Sequence, residues 1–239
     1  MKQNIVEITK GNTGTGLLIE NDGYISLDMP QNKQICESLR LNESGERNLP
    51  EKLIFNAIFQ KFDTPNANGR VYPESILKRE VEKYQQAIKE RRAYAELNHP
   101  SESTIDLGRL AMNVIELHWE GKTLVGKLEI PITDGYRRLG IVSTCADMAA
   151  HWILSGLRIG VSSRGLGSVE QRNGYLAVGQ DFELICFDIV SQNSTPGALI
   201  FQDGENMEPF KESVDFSSEK TIFNESKDKY SKFEKWLLG

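Results

Sequence analysis

Two adjacent serines, followed by a cation and glycines, are the first residues of this sequence whose types could carry out chemistry. They lie in the run Gly160-Val161-Ser162-Ser163-Arg164-Gly165-Leu166-Gly167-Ser168. Because strand side chains alternate, Ser162 and Ser163 lie on opposite faces, and neighbouring aliphatic residues assign Ser163 to the core face. We therefore expect Ser162 to face an open surface, where a nucleophilic hydroxyl is accessible, and the glycines to let backbone approach a ligand.

His99 and Asp188 are the other two residues that stand out. His99 lies at the end of a brief predicted strand and precedes Pro100, and strand ends are where scaffolds present reactive side chains. Asp188 lies in a run that is apolar on both strand faces, so its carboxylate needs a charged or hydrogen-bonding partner. An imidazole N–H would be such a partner, and so would the amides of the loop that follows Asp188.

Ser162, His99 and Asp188 together form the constellation of an acyl-transfer hydrolase. His99 would take the proton of Ser162 and later protonate the leaving amine, while Asp188 would hold the imidazole tautomer. Glu96 and Asp106 are rival third members, because both lie near His99 in the sequence. The candidate oxyanion donors are the backbone amides of Ser163, Arg164, Gly165, Gly197 and Ala198.

Composition limits the classes of protein to consider. The 239 residues are 39% hydrophobic and 26% charged, which predicts one soluble domain with tails. No apolar run approaches the roughly 20 residues of a membrane span, and the first residues lack a signal-peptide pattern. A net charge of -6 argues against a nucleic-acid partner. Cys36, Cys145 and Cys186 form neither a zinc pattern nor a disulfide framework, and we expect reduced thiols, the latter two in the core.

Periodicity predicts the elements that position these residues. Strands are predicted at 5–8, 16–19, 52–62, 93–97, 113–119, 122–130, 157–161, 166–170, 175–178 and 182–190, and helices at 74–91 and 137–154. We divide the chain into an N-terminal segment of residues 1–50, a compact domain of residues 51–202 and a polar tail of residues 203–239. We predict that the tail ends in a short amphipathic helix with Tyr230, Phe233, Trp236 and Leu237 on its apolar side; the alternative is a frayed end.

Four sequence blocks resemble the prohead core proteases of T4-like phages, which are relatives of the herpesvirus assemblins. The blocks are residues 68–73, 96–100, 160–168 and 178–198. The resemblance implies an α+β fold, a small and mostly antiparallel β-barrel surrounded by helices. It also implies a serine endopeptidase with Ser162 as nucleophile, His99 as base and Asp188 where the herpesvirus enzymes use a second histidine. No metal and no organic cofactor are implied.

The resemblance also implies a setting, the interior of the viral prohead in the host cytoplasm. Such enzymes cleave scaffold or core proteins, capsid proteins and themselves, after Glu with an aliphatic residue two positions earlier. Ile35-Cys36-Glu37 and Leu41-Asn42-Glu43 fit that pattern, and cleavage there would remove an N-terminal propeptide. We expect a homo-oligomer with no nucleic-acid or membrane partner. The alternative is a non-catalytic prohead core or scaffold protein that retains the protease fold.

Overall fold

The computed structural model describes residues 6–25, 32, 49–100, 102–157, 159–172 and 174–191. In these ranges the chain is mixed α+β and mostly strand. The strands are β1 (Gly14–Ile25), β2 (Leu53–Lys61), β3 (Arg70–Val71), β4 (Tyr94–Glu96), β5 (Leu110–Glu120), β6 (Thr123–Ile130), β7 (Ile159–Arg172), β8 (Tyr175–Val178) and β9 (Glu183–Val190). The helices are α1 (Glu74–Lys89), α2 (Asp134–Leu139) and α3 (Cys145–Leu154), with a short 3-10 helix at Leu107–Arg109. None of the described helices is long and apolar enough to cross a membrane.

The strands form one sheet in the order β3-β8-β7-β1-β2-β6-β5-β4, and β9 also pairs with β7. All of the pairings between these strands are antiparallel except β3 with β8. Just after β4, Leu97 forms one parallel bridge with Ile189 of β9. The mixed α+β class with mostly antiparallel strands is therefore confirmed. A single bridge is not a ladder, and among the described residues the sheet does not close into the expected barrel.

Aromatic packing fixes β9 against the rest of the core. Phe187 of β9 lies edge-on to Phe59 of β2, with ring centroids 5.0 Å apart, and edge-on to Tyr84 of α1, at 5.6 Å. Such edge-to-face pairs stabilise a core beyond the area they bury. Because strand side chains alternate, burying Phe187 on this face turns the next residue, Asp188, to the opposite face of the sheet.

One continuous strand replaces two predicted ones. The sequence predicts a strand that ends near residue 161 and a hairpin that begins near residue 166, whereas β7 runs unbroken for 14 residues. It remains extended because β1 pairs along one edge and β9 along the other.

The glycines of β7 make room for the side chain of Phe182. A Cβ on Gly165 would lie 2.4 Å from Phe182 Cε2, and one on Gly167 would lie 2.9 Å from Phe182 Cα. The sequence-based expectation that these glycines admit a ligand is therefore wrong for Gly165 and Gly167, which instead allow Phe182 to pack closely against β7.

The single helix predicted at 137–154 is wrong. Gly140 ends α2 in the left-handed conformation, with φ of 73°, so the helix cannot continue through it. Thr144 then starts α3 with a capping box, in which Thr144 and Asp147 each bind the other's backbone N–H.

The two cysteines that the sequence assigns to the core differ in burial. Cys186 is fully buried as expected, whereas Cys145, the first residue of α3, is only half-buried.

A buried carboxylate ties β1 into the body of the protein. Glu20 of β1 is fully buried and forms a 2.6 Å ion pair with Arg70. It also accepts hydrogen bonds from the Tyr72 hydroxyl at 2.9 Å and from the side-chain amides of Asn66 at 2.6 Å and Asn68 at 2.7 Å. The block at residues 68–73 therefore holds β1, which lies between β7 and β2. β1 is therefore part of the same sheet as the strands that follow residue 51, and the division of the chain into domains stays a prediction.

The position of β1 predicts what cleavage between residues 37 and 44 would do. A site for a sequence-specific protease, placed there in a Ser162→Ala chain, should yield two pieces that stay together. Their association follows from the ladders that β1 makes with β7 and β2 and from the Glu20–Arg70 pair. We expect the pieces to co-elute in size-exclusion chromatography and to separate in denaturant.

The variant Arg70→Met should release the N-terminal piece after cleavage, because Glu20 would keep a buried charge without its cation. Spontaneous loss of that piece from the chain with native Arg70 would support a removable propeptide.

Close packing at Gly165 predicts a selective loss of stability. In Gly165→Ala the new methyl group would meet the Phe182 ring and also Glu183 O at 2.6 Å, so both the ring and the backbone would have to shift. We expect a loss of about 1–3 kcal/mol in the free energy of unfolding, measured by urea denaturation. Gly135→Ala in α2 is the matched control, because its methyl group would meet no atom closer than 3.8 Å. Equal stability of the two variants would contradict the packing argument.

Candidate active site

Pairing between β7 and β9 brings the first two candidate residues together. Ser162 of β7 and Asp188 of β9 are direct register partners in the antiparallel ladder. Directly opposed residues of such a pair place their side chains on the same face, with Cβ atoms about 5 Å apart. Two residues that are 26 positions apart in sequence are thus neighbours because the register of one ladder is fixed.

The third residue arrives from the turn after β4. Asn98 adopts the left-handed conformation, with φ of 61°, which asparagine tolerates better than most residues. Its backbone N–H donates to Ile189 O at 2.8 Å, and Arg109 Nη2 donates to Leu97 O at 2.5 Å. The first bond holds the turn against β9, so that His99 begins directly beside Asp188, and the second ties the turn to the 3-10 helix.

His99 bridges the other two side chains. Its Nδ1 lies 2.8 Å from Asp188 Oδ2, and its Nε2 is hydrogen-bonded to Ser162 Oγ. An ionised carboxylate can only accept, so Nδ1 carries the proton that is donated to Asp188. Nε2 of the neutral ring is then the acceptor for the Ser162 hydroxyl. The structure therefore brings together all three residues that the sequence singled out.

Ser162 is less accessible than the sequence predicts. Ser162 and Ser163 do lie on opposite faces, but the exposed fraction of Ser162 is 0%. The side chain of His99, which lies over the same face, is 11% exposed. The expected open surface at Ser162 is therefore wrong for this conformation. A peptide carbonyl can contact Oγ only after the groups that cover it have moved.

His99, a buried arginine and one backbone amide set the charge state of Asp188. Arg164 Nε lies 2.9 Å from Asp188 Oδ2, its Nη2 donates to Oδ1 at 3.3 Å, and the backbone N–H of Glu96 donates to the same oxygen at 3.0 Å. Burial by itself raises the pKa of Asp188. The hydrogen bond from His99, the charge of Arg164 and the Glu96 N–H outweigh burial and hold that pKa below its usual range. Asp188 is therefore ionised at neutral pH.

The two rival carboxylates have other partners. Glu96 is fully buried and pairs with Arg164 Nη2 at 3.2 Å and Arg109 Nε at 3.3 Å. Asp106 accepts from the backbone N–H of Gly108 at 2.8 Å and thereby caps the 3-10 helix. Among these carboxylates it is Asp188 that binds His99. The Arg164–Asp188–Glu96 contacts are what sequence reasoning missed, although strand alternation already puts Arg164 on the face of Ser162.

Three of the candidate oxyanion donors lie within β7, and their role stays a prediction. The amides of Ser163, Arg164 and Gly165 lie in a strand that is paired with β1 on one side and β9 on the other. Amides of a paired strand point along the sheet, whereas Ser162 Oγ projects from its face. The guanidinium of Arg164 is bound to the two carboxylates. Gly197 and Ala198 lie outside the described residues, and their role stays a prediction.

An apolar cavity of about 280 Å³ lies next to these residues. Its lining comes from the residues directly before His99, from those directly after Asp188, from the start of β7 and from α3 and the turn after it. They are Leu97, Asn98, Trp152, Leu157, Ile159, Ile189, Val190 and Ser191. A cavity of this size and composition can accept an aliphatic side chain.

Comparisons with known proteins assign the chain to a family. The family model described as prohead core protein serine protease matches residues 17–206. The prohead core protein protease of Enterobacteria phage T4 is 31% identical over 165 residues, which are 68% of this chain and 74% of that protein. The solved structure of the bacteriophage T4 capsid assembly protease is 28% identical, with a TM-score of 0.56, over 74% of this chain and 98% of that one. The chain described here belongs to the family of prohead core protein serine proteases.

Proposed function

We propose that this chain is a serine endopeptidase of capsid maturation, with Ser162 as nucleophile, His99 as general base and Asp188 as the residue that orients His99. The observation that carries the proposal is the placement of His99, which is bonded to Ser162 through Nε2 and to Asp188 through Nδ1. Membership of the family, and similarity to proteins named as prohead and capsid assembly proteases, support the biological setting.

The chemistry follows from the hydrogen bonds. Ser162 Oγ attacks the carbonyl carbon of a peptide bond as its proton moves to His99 Nε2. Asp188, which accepts the Nδ1 proton, stabilises the imidazolium that forms. His99 then gives the proton to the leaving amine, and the acyl-enzyme is left on Ser162. Water, deprotonated by the same imidazole, releases the acid and restores the hydroxyl.

The proposed substrates are prohead core or scaffold proteins, capsid proteins and the chain itself, cut inside the prohead in the host cytoplasm. The apolar cavity beside His99 and Asp188 supports selection of an aliphatic side chain near the scissile bond. The preference for Glu, with an aliphatic residue two positions earlier, and the assembly into a homo-oligomer are carried over from the family resemblance. Self-cleavage at 35–37 or 41–43 would cut the chain after β1.

A non-catalytic core protein is the second candidate function, and one observation favours it. Ser162 is fully buried, as expected for a serine that no longer meets a substrate. Against it stands the ionised Asp188: a buried carboxylate and its cation are costly to keep in a fold that uses neither. The experiment below separates the two functions.

The intact mass of the purified full-length chain, followed over time, tests the proposal. We expect loss of terminal mass by cleavage after Glu in the native chain. Neither Ser162→Ala nor His99→Ala should show it, because the first lacks the nucleophile and the second lacks the base. Asp188→Asn should slow cleavage by about 10⁴-fold, because it no longer accepts the Nδ1 proton that sets the imidazole tautomer.

Asp106→Asn is the matched control for Asp188→Asn, because it makes the same chemical change at a carboxylate that only caps a 3-10 helix. It should leave the rate within a factor of a few of the native one. Loss of mass that persists in Ser162→Ala would point to a contaminating protease. A folded native chain that cuts neither itself nor a peptide copying residues 39–47 would favour the non-catalytic function.

A further inference from the structure

We infer that Glu96 and Arg164 act together as a positioning pair, which holds Asp188 ionised and aligned with His99 during acyl transfer. The inference deepens the proposed function and rests on it. Neither residue contacts the hydroxyl of Ser162 in this structure, so both would act through Asp188. Their assignment comes from a chain of buried contacts that ends at the imidazole.

Arg164 is placed to hold the Asp188 carboxylate on two sides. Its Nε lies 2.9 Å from Oδ2, the oxygen that also accepts from His99, and its Nη2 lies 3.3 Å from Oδ1. A guanidinium is planar and presents its donors in a fixed fork, so it fixes the plane of a carboxylate as well as its charge. Arg164 is itself fully buried, and Nη1 is anchored by a 2.6 Å hydrogen bond to Glu102 O.

Glu96 reaches the same carboxylate in two ways. Its backbone N–H donates to Asp188 Oδ1 at 3.0 Å, and its own carboxylate binds Arg164 Nη2 at 3.2 Å. The carboxylate of Glu96 is held in turn by the backbone N–H of Asp106 at 2.8 Å and by Arg109 Nε at 3.3 Å. Glu96 is three residues before His99, so the strand end that presents the base also carries the counter-charge of Arg164.

Charge balance explains why a pair is needed. Arg164 lies between the carboxylates of Asp188 and Glu96, and Arg109 pairs with Glu96 from the outer side. The cluster beside the His99 imidazole thus contains two anions and two cations. Removing Arg164 alone leaves two buried carboxylates without the cation between them, whereas removing Glu96 together with Arg164 leaves only Asp188 in that state. The cluster can therefore be dissected by comparing single and double substitutions.

Other groups face Asp188 and must be included in any pH effect. The thiol of Cys186, on β9, lies 3.3 Å from Oδ1, and burial raises its pKa well above the usual value, so it stays protonated and donates. Tyr84 of α1 is near enough for Asp188 to act on it electrostatically, and burial keeps its phenol neutral. Arg164 is the cation bonded to Asp188, and its loss raises the pKa of that carboxylate.

The test measures the rate at which a fluorophosphonate probe labels Ser162, as a function of pH, in the full-length chain. This reaction needs an activated Oγ and an imidazole to take its proton but no peptide specificity. We expect Arg164→Met to lower the rate by on the order of 100-fold. In this variant the fall in labelling rate on the acid side of the pH profile should begin at a higher pH, because Asp188 would ionise only at higher pH. Glu96→Gln should cause a smaller loss, and the double variant should lose less than the product of the two single losses.

A second readout does not depend on access to Ser162. The ring nitrogens of His99 report the Nδ1–H tautomer in ¹⁵N NMR, and only three histidines contribute signals. Arg164→Met should weaken the signal of the hydrogen-bonded His99 Nδ1–H, because the carboxylate that accepts it is no longer held in place. Arg92→Met, which removes an exposed arginine paired with Glu90, should leave that signal and the labelling rate unchanged. If Arg164→Met does not fold, Glu96→Gln and the double variant give the same comparison.

The outcomes separate the two levels of the argument. A native chain that folds but is not labelled at Ser162, and whose His99 signals show no hydrogen-bonded Nδ1–H, would remove the proposed function. A native chain that is labelled, with Arg164→Met labelled equally fast, would overturn only the positioning pair. The positioning pair would also be overturned if each variant lowered the labelling rate by the same factor at every pH and the two factors multiplied in the double variant. Such a result would indicate a purely structural contribution of Arg164 and Glu96.

Discussion

The register of β7 against β9 is the constraint on which the rest of the site depends. Because strand side chains alternate, a shift of one residue would turn Ser162 or Asp188 to the wrong face. The register is fixed from both sides of the sheet. On the core face, Phe187 packs against Phe59 and Tyr84. On the opposite face, Arg164 binds Asp188. Hydrophobic packing and a buried ion pair thus select the same alignment.

The cost of burying charge explains the arrangement around Asp188. A carboxylate that is fully buried would normally gain a proton, and then it could no longer stabilise an imidazolium. The hydrogen bond from His99, the charge of Arg164 and the Glu96 N–H prevent this by favouring the charged form, which keeps the pKa of Asp188 low. Glu20 and Arg70 solve the same problem elsewhere in the sheet, where their pair fastens β1. In both places a buried acid connects segments that are distant in sequence.

Much of the site could be predicted from the sequence, because each residue carries a local signal. Three signals can be read from near neighbours in the sequence. They are the proline that follows His99, the strand alternation that turns Ser162 away from the core face, and the single acid, Asp188, in an apolar strand. The partners of that acid could not be predicted beyond their type, since they depend on how β4, β7 and β9 meet. For a related reason, the sequence does not show that β1 belongs to the core. Glu20 resembles a linker residue by polarity, and only its buried partners at 66–72 show that it belongs to the core.

The division of the predicted helix has a local cause that competes with periodicity. Ile141, Cys145 and Met148 have helical spacing, but Gly140 takes the left-handed conformation and Thr144 caps a new helix. Backbone and capping terms therefore outweighed a weak apolar stripe, and Ile141 is exposed.

Alignment and access are separate properties of this site. The hydrogen bonds from Asp188 through His99 to Ser162 are complete, and the carboxylate is already charged. Yet Ser162 has no exposed surface, so the reactants cannot meet in this conformation. Glu96, Arg164 and Asp188 are all fully buried and are held by contacts with one another, so their alignment does not depend on whether Ser162 is exposed. For a protease that carries candidate cleavage sites in its own chain, control through access leaves the catalytic geometry intact while it limits premature cutting.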